Sequence, residues 1–384
     1  MLSIASAESD ERGGQFRQTG VYFRFLNSSE GINSQDGQLP LVIEPEGSAD
    51  LAPLLEWIRE NIALLNMKLY LHGGLLFRGF KVTSADDFER IALQLDHSLR
   101  DRNPLDDGLR SRKARCVFGA TAYSSLHTLP FHNEDSYLPK NPPKIMFCCL
   151  KACASGGETV ITDCRRVYED LPREIVEQFQ GRTFPMVRRF SFNLLRQNME
   201  TNDRQAIEAA CEGLGVHSIS WSDIGLTIKC DLPAVIYHDQ TGEPIWFNRL
   251  LGANPWAFII QACFSILKTR DLKLKARAIG LLPAYLLYFA PHLLSGLLPG
   301  KRSTVQTAAE TPSLPQISMK IAYQLVRAYW KNAAVFLWKE GDVLLLDNRL
   351  VAHGRMPFRG ERSILTCVTQ ATLPKSSREM KEMK

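Results

Sequence analysis

The 384-residue chain has no run of five or more consecutive basic residues, no regular cysteine framework and no apolar stretch near its N-terminus. The first absence argues against a nucleic-acid partner, because the formal charge of +5 is scattered along the chain. Nine cysteines without a repeating spacing fit reduced thiols rather than disulfides. Cys148, Cys149 and Cys153 lie close together, but adjacent strand residues face opposite ways and no second Cys or His pair has zinc spacing. They read as small core residues. At the N-terminus, Glu8, Asp10, Glu11, Arg12 and Arg17 replace the apolar run a secretory signal needs. Residues 1–38 therefore read as a partly loose tail, and the expected location is cytoplasmic.

Charge is also missing from one internal stretch. The chain is 23% charged, yet Ala278–Gly300 has no Asp, Glu, Lys or Arg. Its length approaches the ~20 apolar residues of a membrane span, but Gly280, Pro283, Pro291, Gly296 and Pro299 interrupt it. The stretch before it, Ala257–Arg277, is amphipathic and carries Lys268, Arg270, Lys273, Lys275 and Arg277. Residues 256–316 thus read as an apolar insert. It is expected to form a lid of short helices over an active site or, through 257–300, a contact with a membrane surface or carrier protein. Ser303–Pro315 reads as its return linker.

The remaining composition, 45% hydrophobic, suffices for one domain spanning 1–384. An amphipathic helix is expected after Ser48-Ala49-Asp50, with Leu51, Leu54, Leu55, Ile58, Ile62 and Leu65 on one face. A strand follows at Leu75–Phe80, then a helix from Ser84 carrying Phe88, Ile91, Ala92 and Leu95. The basic run Leu99–Arg115, with Asp106-Asp107-Gly108, reads as a loop near a site entrance, where Arg112 and Arg115 could face an anion. Val117–Tyr123 reads as a strand, and Met319–Trp330 as a helix. Periodicity alone supports a mixed α and β fold.

The chemistry centres on Phe131-His132-Asn133-Glu134-Asp135-Ser136-Tyr137. In an extended segment, residues i and i+2 point the same way, so His132 and Glu134 can converge on one ion. Two imidazoles and one carboxylate on one face leave positions open on non-haem Fe(II). The candidate third ligand is His353, delivered where the apolar strand of Gly341–Asp347 runs into a polar turn. A zinc hydrolase site made of His127, His132 and Glu134 is the rival, but Pro130 breaks the continuous helix such sites use.

Three further segments accompany this one: Gly156-Gly157-Glu158-Thr159, Thr241-Gly242-Glu243-Pro244-Ile245-Trp246-Phe247-Asn248, and His353-Gly354-Arg355 through Arg362. With these four motifs, from about Pro40 to Val368 and outside the insert, the chain resembles the taurine dioxygenase and clavaminate synthase-like family of Fe(II)/2-oxoglutarate oxygenases. The resemblance implies an α+β fold with a double-stranded β-helix, or jelly-roll, core and flanking helices. It implies His132, Glu134 and His353 as metal ligands and catalytic centre, with Fe(II), the co-substrate 2-oxoglutarate and O2. It places Arg362 on the distal carboxylate of 2-oxoglutarate, with Arg355 and Arg359 as alternatives, and Thr159 on a co-substrate carboxylate. A guanidinium suits the first task because it presents paired donors in the plane of a carboxylate. Many relatives have two basic residues where this chain reads Arg362-Ser363. Relatives that halogenate replace the metal carboxylate, so retained Glu134 points to hydroxylation, with desaturation or cyclisation as variants. The expected substrate is an amino-acid-like or biosynthetic intermediate, free or carrier-bound. A non-catalytic binding protein on the same fold is the alternative.

Overall fold

The computed structural model describes residues 9–10, 15–32, 37–101, 103–106, 110–120, 123–295 and 317–375. Two sheets face each other. The major sheet has nine strands, in the order Ser9–Asp10, Gln15–Gln18, Val21–Phe25, Leu41–Pro45, Gly74–Phe77, Val343–Asp347, Lys144–Lys151, Ser363–Val368 and Phe118–Gly119. The minor sheet has five, in the order Gly31–Ile32, Ala333–Phe336, Thr159–Asp163, Val351–Arg355 and Leu129–His132. Leu41–Pro45 and Gly74–Phe77 run parallel, and the other pairs in these sheets are antiparallel. The chain switches sheets at nearly every step from Leu129 to Val368, which is the jelly-roll pattern.

Burial on both faces explains the uninterrupted apolar strands. Ile145, Cys149, Leu344, Leu346 and Ile364 pack toward the minor sheet, while Met146, Cys148, Val343, Leu345 and Leu365 pack on the opposite face. That second face is covered by helices Leu51–Glu60, Ile62–His72 and Ala85–Leu95. Cys148 and Cys149 thus belong to different layers, as strand alternation requires. The expected first helix is two, divided at Asn61, whose side chain donates to the Trp57 carbonyl at 2.8 Å. The next helix is held at its start by a reciprocal Ser84–Asp87 cap.

Within the stretch expected as a tail, Gln15–Gln18, Val21–Phe25 and Gly31–Ile32 are strands, because each finds a partner edge. Residues 1–8 and 11–14 lie outside the described set. The strand expected at Val117–Tyr123 pairs only at Phe118–Gly119, and residues 121–122 are not described. Sequence reading also passed over a satellite layer of three strands, Thr183–Ser191, Gly225–Pro233 and Ser218–Trp221, with helices Phe192–Met199 and Arg204–Gly213. Its own core includes Phe190, Ile207, Cys211 and Ile228, and it takes in Tyr137 and Leu138 from just beyond Glu134.

The apolar insert begins as three helices, Pro255–Lys268, Leu272–Ile279 and Leu282–Ser295. Asn254 caps the first through the Ala257 amide, with Pro255 in the position where its missing N–H costs nothing. Residues 296–316, including the linker and its Ser303–Pro315 expectation, lie outside the described set. Among the described residues, no helix is long and apolar enough to cross a membrane.

Candidate active site

The His132 strand pairs with the His353 strand, and the two histidines sit directly opposite each other. Their ring centroids are 4.4 Å apart. Glu134 Oε2 lies 3.9 Å from His132 Nε2 and 3.9 Å from His353 Nε2. The three ligand atoms fall within 4.8 Å of one another, and this is the sole such metal-type group among the described residues. His127 is not part of it; its ring instead packs against Tyr123 and Tyr285.

Local chemistry explains why the ligands meet. Asp347 Oδ1 accepts from the Arg349 and Leu350 amides, each at 3.0 Å, and so forms the turn between Val343–Asp347 and Val351–Arg355, the strand that carries His353. In that turn Asn348 clasps the ligand loop. It accepts from the Glu134 amide at 2.7 Å, donates to the Glu134 carbonyl at 3.0 Å and to the Pro142 carbonyl at 2.8 Å. Asn133, which points away from the ligands, donates to the Asn348 carbonyl at 2.7 Å. Beyond Glu134 the backbone turns left-handed at Asp135, with φ of 54°, a conformation costing about 1–2 kcal/mol in a non-glycine residue. Arg100 and Asn103 hold that turn by donating to the two Asp135 oxygens at 2.6 and 2.8 Å.

The electrostatics suit a cation. His132 Nδ1 lies 2.8 Å from the Pro130 carbonyl, which makes Nδ1 the donor and Nε2 the acceptor nitrogen. His353 is buried against Phe147, and burial, then the neighbouring His132, push its pKa well below the usual 6.5. It therefore offers an unprotonated nitrogen at neutral pH. Glu134 Oε1 accepts from Arg110 Nη2 at 2.7 Å, so a single oxygen, Oε2, faces the histidines. Bonds of about 2.1 Å to one ion place ligand atoms about 3.0–3.5 Å apart, so side-chain movements of up to about an ångström close this set on a metal. Two imidazoles and one carboxylate fit Fe(II) and leave positions open.

The motifs expected to grip the co-substrate pack against each other. Ser155 and Gly156 pair with Arg359 and Phe358, and Thr159 pairs with Arg355. Gly156 and Gly157 are both left-handed, and an added Cβ would meet the Pro357 carbonyl oxygen at 2.3 Å or Cys153 Sγ at 2.5 Å. The three arginines differ sharply. Arg355 donates to the Tyr123, Ser124 and His127 carbonyls, so it serves to pin the 123–127 loop. Arg359 is exposed and reaches Asp271 at 3.4 Å. Arg362 is half-buried over the Phe358 ring, with no carboxylate partner among the described residues, and burial lowers its pKa. Thr159 Oγ accepts from Trp338 Nε1 at 2.7 Å, which leaves the hydroxyl proton to donate elsewhere. These features fit a guest carboxylate.

Arg112 and Arg115 do not face the site. Arg112 is exposed, bonded to the Arg115 carbonyl and paired with Asp101 at 2.8 Å. The loop residue that does reach the ligands is Arg110, which sequence reading missed, as it missed Asn348 and Arg100. Only the polar Asp347-Asn348 pair at a strand end hinted at a clasp.

Facing antiparallel sheets with two imidazoles and a carboxylate converging between them mark the class of non-haem iron oxygenases. The family described as "Taurine catabolism dioxygenase TauD, TfdA family" matches residues 35–368, and the chain belongs to it. Its members use Fe(II), 2-oxoglutarate and O2, so the chain is an Fe(II)/2-oxoglutarate-dependent oxygenase. Among relatives, it is 28% identical to the dapdiamide synthesis protein DdaC of Enterobacter agglomerans over 79% of this chain and 83% of that one. It is 24% identical to a clavaminate synthase-like protein of Arabidopsis thaliana over 85% and 92%. Among solved structures, a taurine dioxygenase from Burkholderia xenovorans aligns with a TM-score of 0.47 at 13% identity, covering 94% of this chain and 92% of that one.

Proposed function

We propose that His132, Glu134 and His353 hold the Fe(II), that Arg362 and Thr159 grip 2-oxoglutarate, and that the enzyme hydroxylates a small biosynthetic intermediate. The observation that supports this most is the convergence of His132 Nε2, His353 Nε2 and Glu134 Oε2, with Arg110 occupying the other carboxylate oxygen. When bound, the iron supplies the oxygen activation and radical chemistry that protein side chains lack, with succinate and CO2 released from the co-substrate. The chain supplies geometry. Asn348 fixes the Glu134 backbone, Pro130 fixes the His132 tautomer, and Phe147 shields His353 from water. Arg362 offers an unspent pair of coplanar donors for the distal carboxylate.

Retained Glu134 favours hydroxylation over halogenation, which needs that position vacated. The 28% identical relative is a dapdiamide synthesis protein by name, which favours a biosynthetic, amino-acid-like substrate, free or presented on a carrier. The helices of 255–295 are read as a cover. Asp271 accepts from Ser155 at 2.6 Å beside the Gly156-Gly157 turn, and Tyr285 packs on His127. Phe289 turns inward onto Phe258, whereas Leu286 faces out, and the side chain of Leu293 lies outside the described set. The test is a screen of amino-acid-like metabolites with the Fe(II)-loaded enzyme, following succinate and the product mass. Succinate release coupled to a hydroxylated product is expected. Iron binding without succinate release from any candidate would favour a non-catalytic binding protein, and a product lacking two hydrogens would favour desaturation or cyclisation.

A further inference from the structure

Beside Glu134 lies a cavity of about 30 Å3, lined among others by Arg100, Arg110, Phe118, Glu134, Thr366 and Cys367. That is about twice the room one water requires, enough for a small polar head group. Three buried polar atoms on its walls have no partner: Nε and Nη1 of Arg100 and Oγ1 of Thr366. Arg100 is 8% exposed and Thr366 1%, so solvent does not satisfy them, and an unmet buried donor is costly. Thr366 also shares a face with Phe118 and Phe147, its neighbours across the strands, and the Phe147 ring touches His353. The unspent donors therefore border the metal-ligand cluster.

The charge balance favours an anion. Asp106 is paired with Arg110 at 3.1 Å, Asp101 with Arg112 at 2.8 Å, and Asp135 with Arg100 at 2.6 Å. Glu134 is held by Arg110 at 2.7 Å, so every acid on the lining is engaged by an arginine while Arg100 keeps unspent donors. The ring of Phe118, directly across from Thr366, suits the aliphatic stem of a short acid. We propose that this cavity is the subsite for the carboxylate of the organic substrate, with Arg100 and Thr366 as its donors and the rest of the molecule extending past Glu134 toward His353. This assignment rests on the oxygenase reading above.

The test uses the full chain loaded with redox-silent Mn(II) and saturated with 2-oxoglutarate, with labelled acetate and acetamide as probes in equilibrium dialysis. Acetate should bind about tenfold or more tightly than its neutral isostere, since hydrogen bonds to charged groups are the stronger ones. Thr366→Val should weaken acetate binding about tenfold and leave Mn(II) and 2-oxoglutarate binding unchanged, because the hydroxyl has no other bond to lose. Arg100→Gln should weaken it further, but it also releases Asp135, so the threonine variant is decisive. Equal affinity for the two probes, or unaltered acetate binding in Thr366→Val, would overturn the subsite and leave the donors to ordered water. Failure of the wild-type chain to bind Mn(II) or 2-oxoglutarate would instead overturn the oxygenase reading.

Discussion

The turn that delivers His353 and the helices of 255–295 are built to opposite rules. In the turn, Asp347, Asn348, Arg349 and Leu350 are all nearly or fully buried, with the Asn348 side chain spent on the Glu134 loop and Asp347 on the turn's own amides. In the helices, Leu267 is 73% exposed, Leu287 76% and Tyr288 58%. The first arrangement holds the backbone that carries Glu134 in place, as a preorganised site requires. The second leaves apolar surface that a substrate or closing segment can cover. Buried, hydrogen-bonded polar groups mark the first region, and exposed apolar side chains the second.

The sharpest break of this comparison is at the ligands. Replacing His132, Glu134 or His353 by Ala should lower metal affinity by more than about 100-fold, measured as metal retained after dialysis. Next comes the clasp. Asn348→Ala removes three buried side-chain bonds and strands the Glu134 amide, so unfolding free energy should fall by about 3 kcal/mol in denaturant titration, with metal affinity falling as well. Substitutions at exposed Leu287 should stay within about 0.5 kcal/mol, and a comparable loss there would erase the contrast between the regions.

The arginines sharpen the comparison further. Arg362→Ala should raise the 2-oxoglutarate KM by roughly 30-fold, about 2 kcal/mol, with metal affinity unchanged, and Arg362→Lys should recover only part of that. Arg355→Ala should instead loosen the 123–127 loop and lower stability, because its donors are committed to three carbonyls. The smallest effect is one of pH. Burial keeps folded His353 neutral, whereas the unfolded chain takes up a proton near pH 6.5. The unfolded state then binds the extra proton. Stability of the metal-free protein should therefore fall on acidification below about pH 6.5, by about 1.4 kcal/mol per unit from this group, and His353→Ala should flatten that slope.

The convergence of His132 with Glu134 was legible because it is local. His132 and Glu134 need only an extended backbone, and the Asp347-Asn348 turn declares itself at the end of an apolar strand. Gly156-Gly157 was singled out by the family resemblance alone, and the structure supplies its reason, a left-handed pair beside another strand that tolerates no Cβ. Arg110 was not, because nothing in a basic loop says which of Arg110, Arg112 and Arg115 will turn inward, and its partner Glu134 is 24 residues away. The N-terminal strands were illegible for a related reason. Val21–Phe25 is fixed by pairing with Leu41–Pro45, a tertiary edge that local pattern does not announce. The satellite sheet around Phe190 and Ile228 has ordinary alternation but no motif, and so drew no notice.

The most direct test of the central claim is an anaerobic calorimetric titration of 2-oxoglutarate into wild type, His353→Ala and Arg362→Ala, each first incubated with Fe(II) and freed of unbound metal. The account predicts stoichiometric binding to wild type, none to the His353 variant for want of metal, and weakened binding to an Arg362 variant that still holds its iron. Equal 2-oxoglutarate affinity in all three proteins would contradict it.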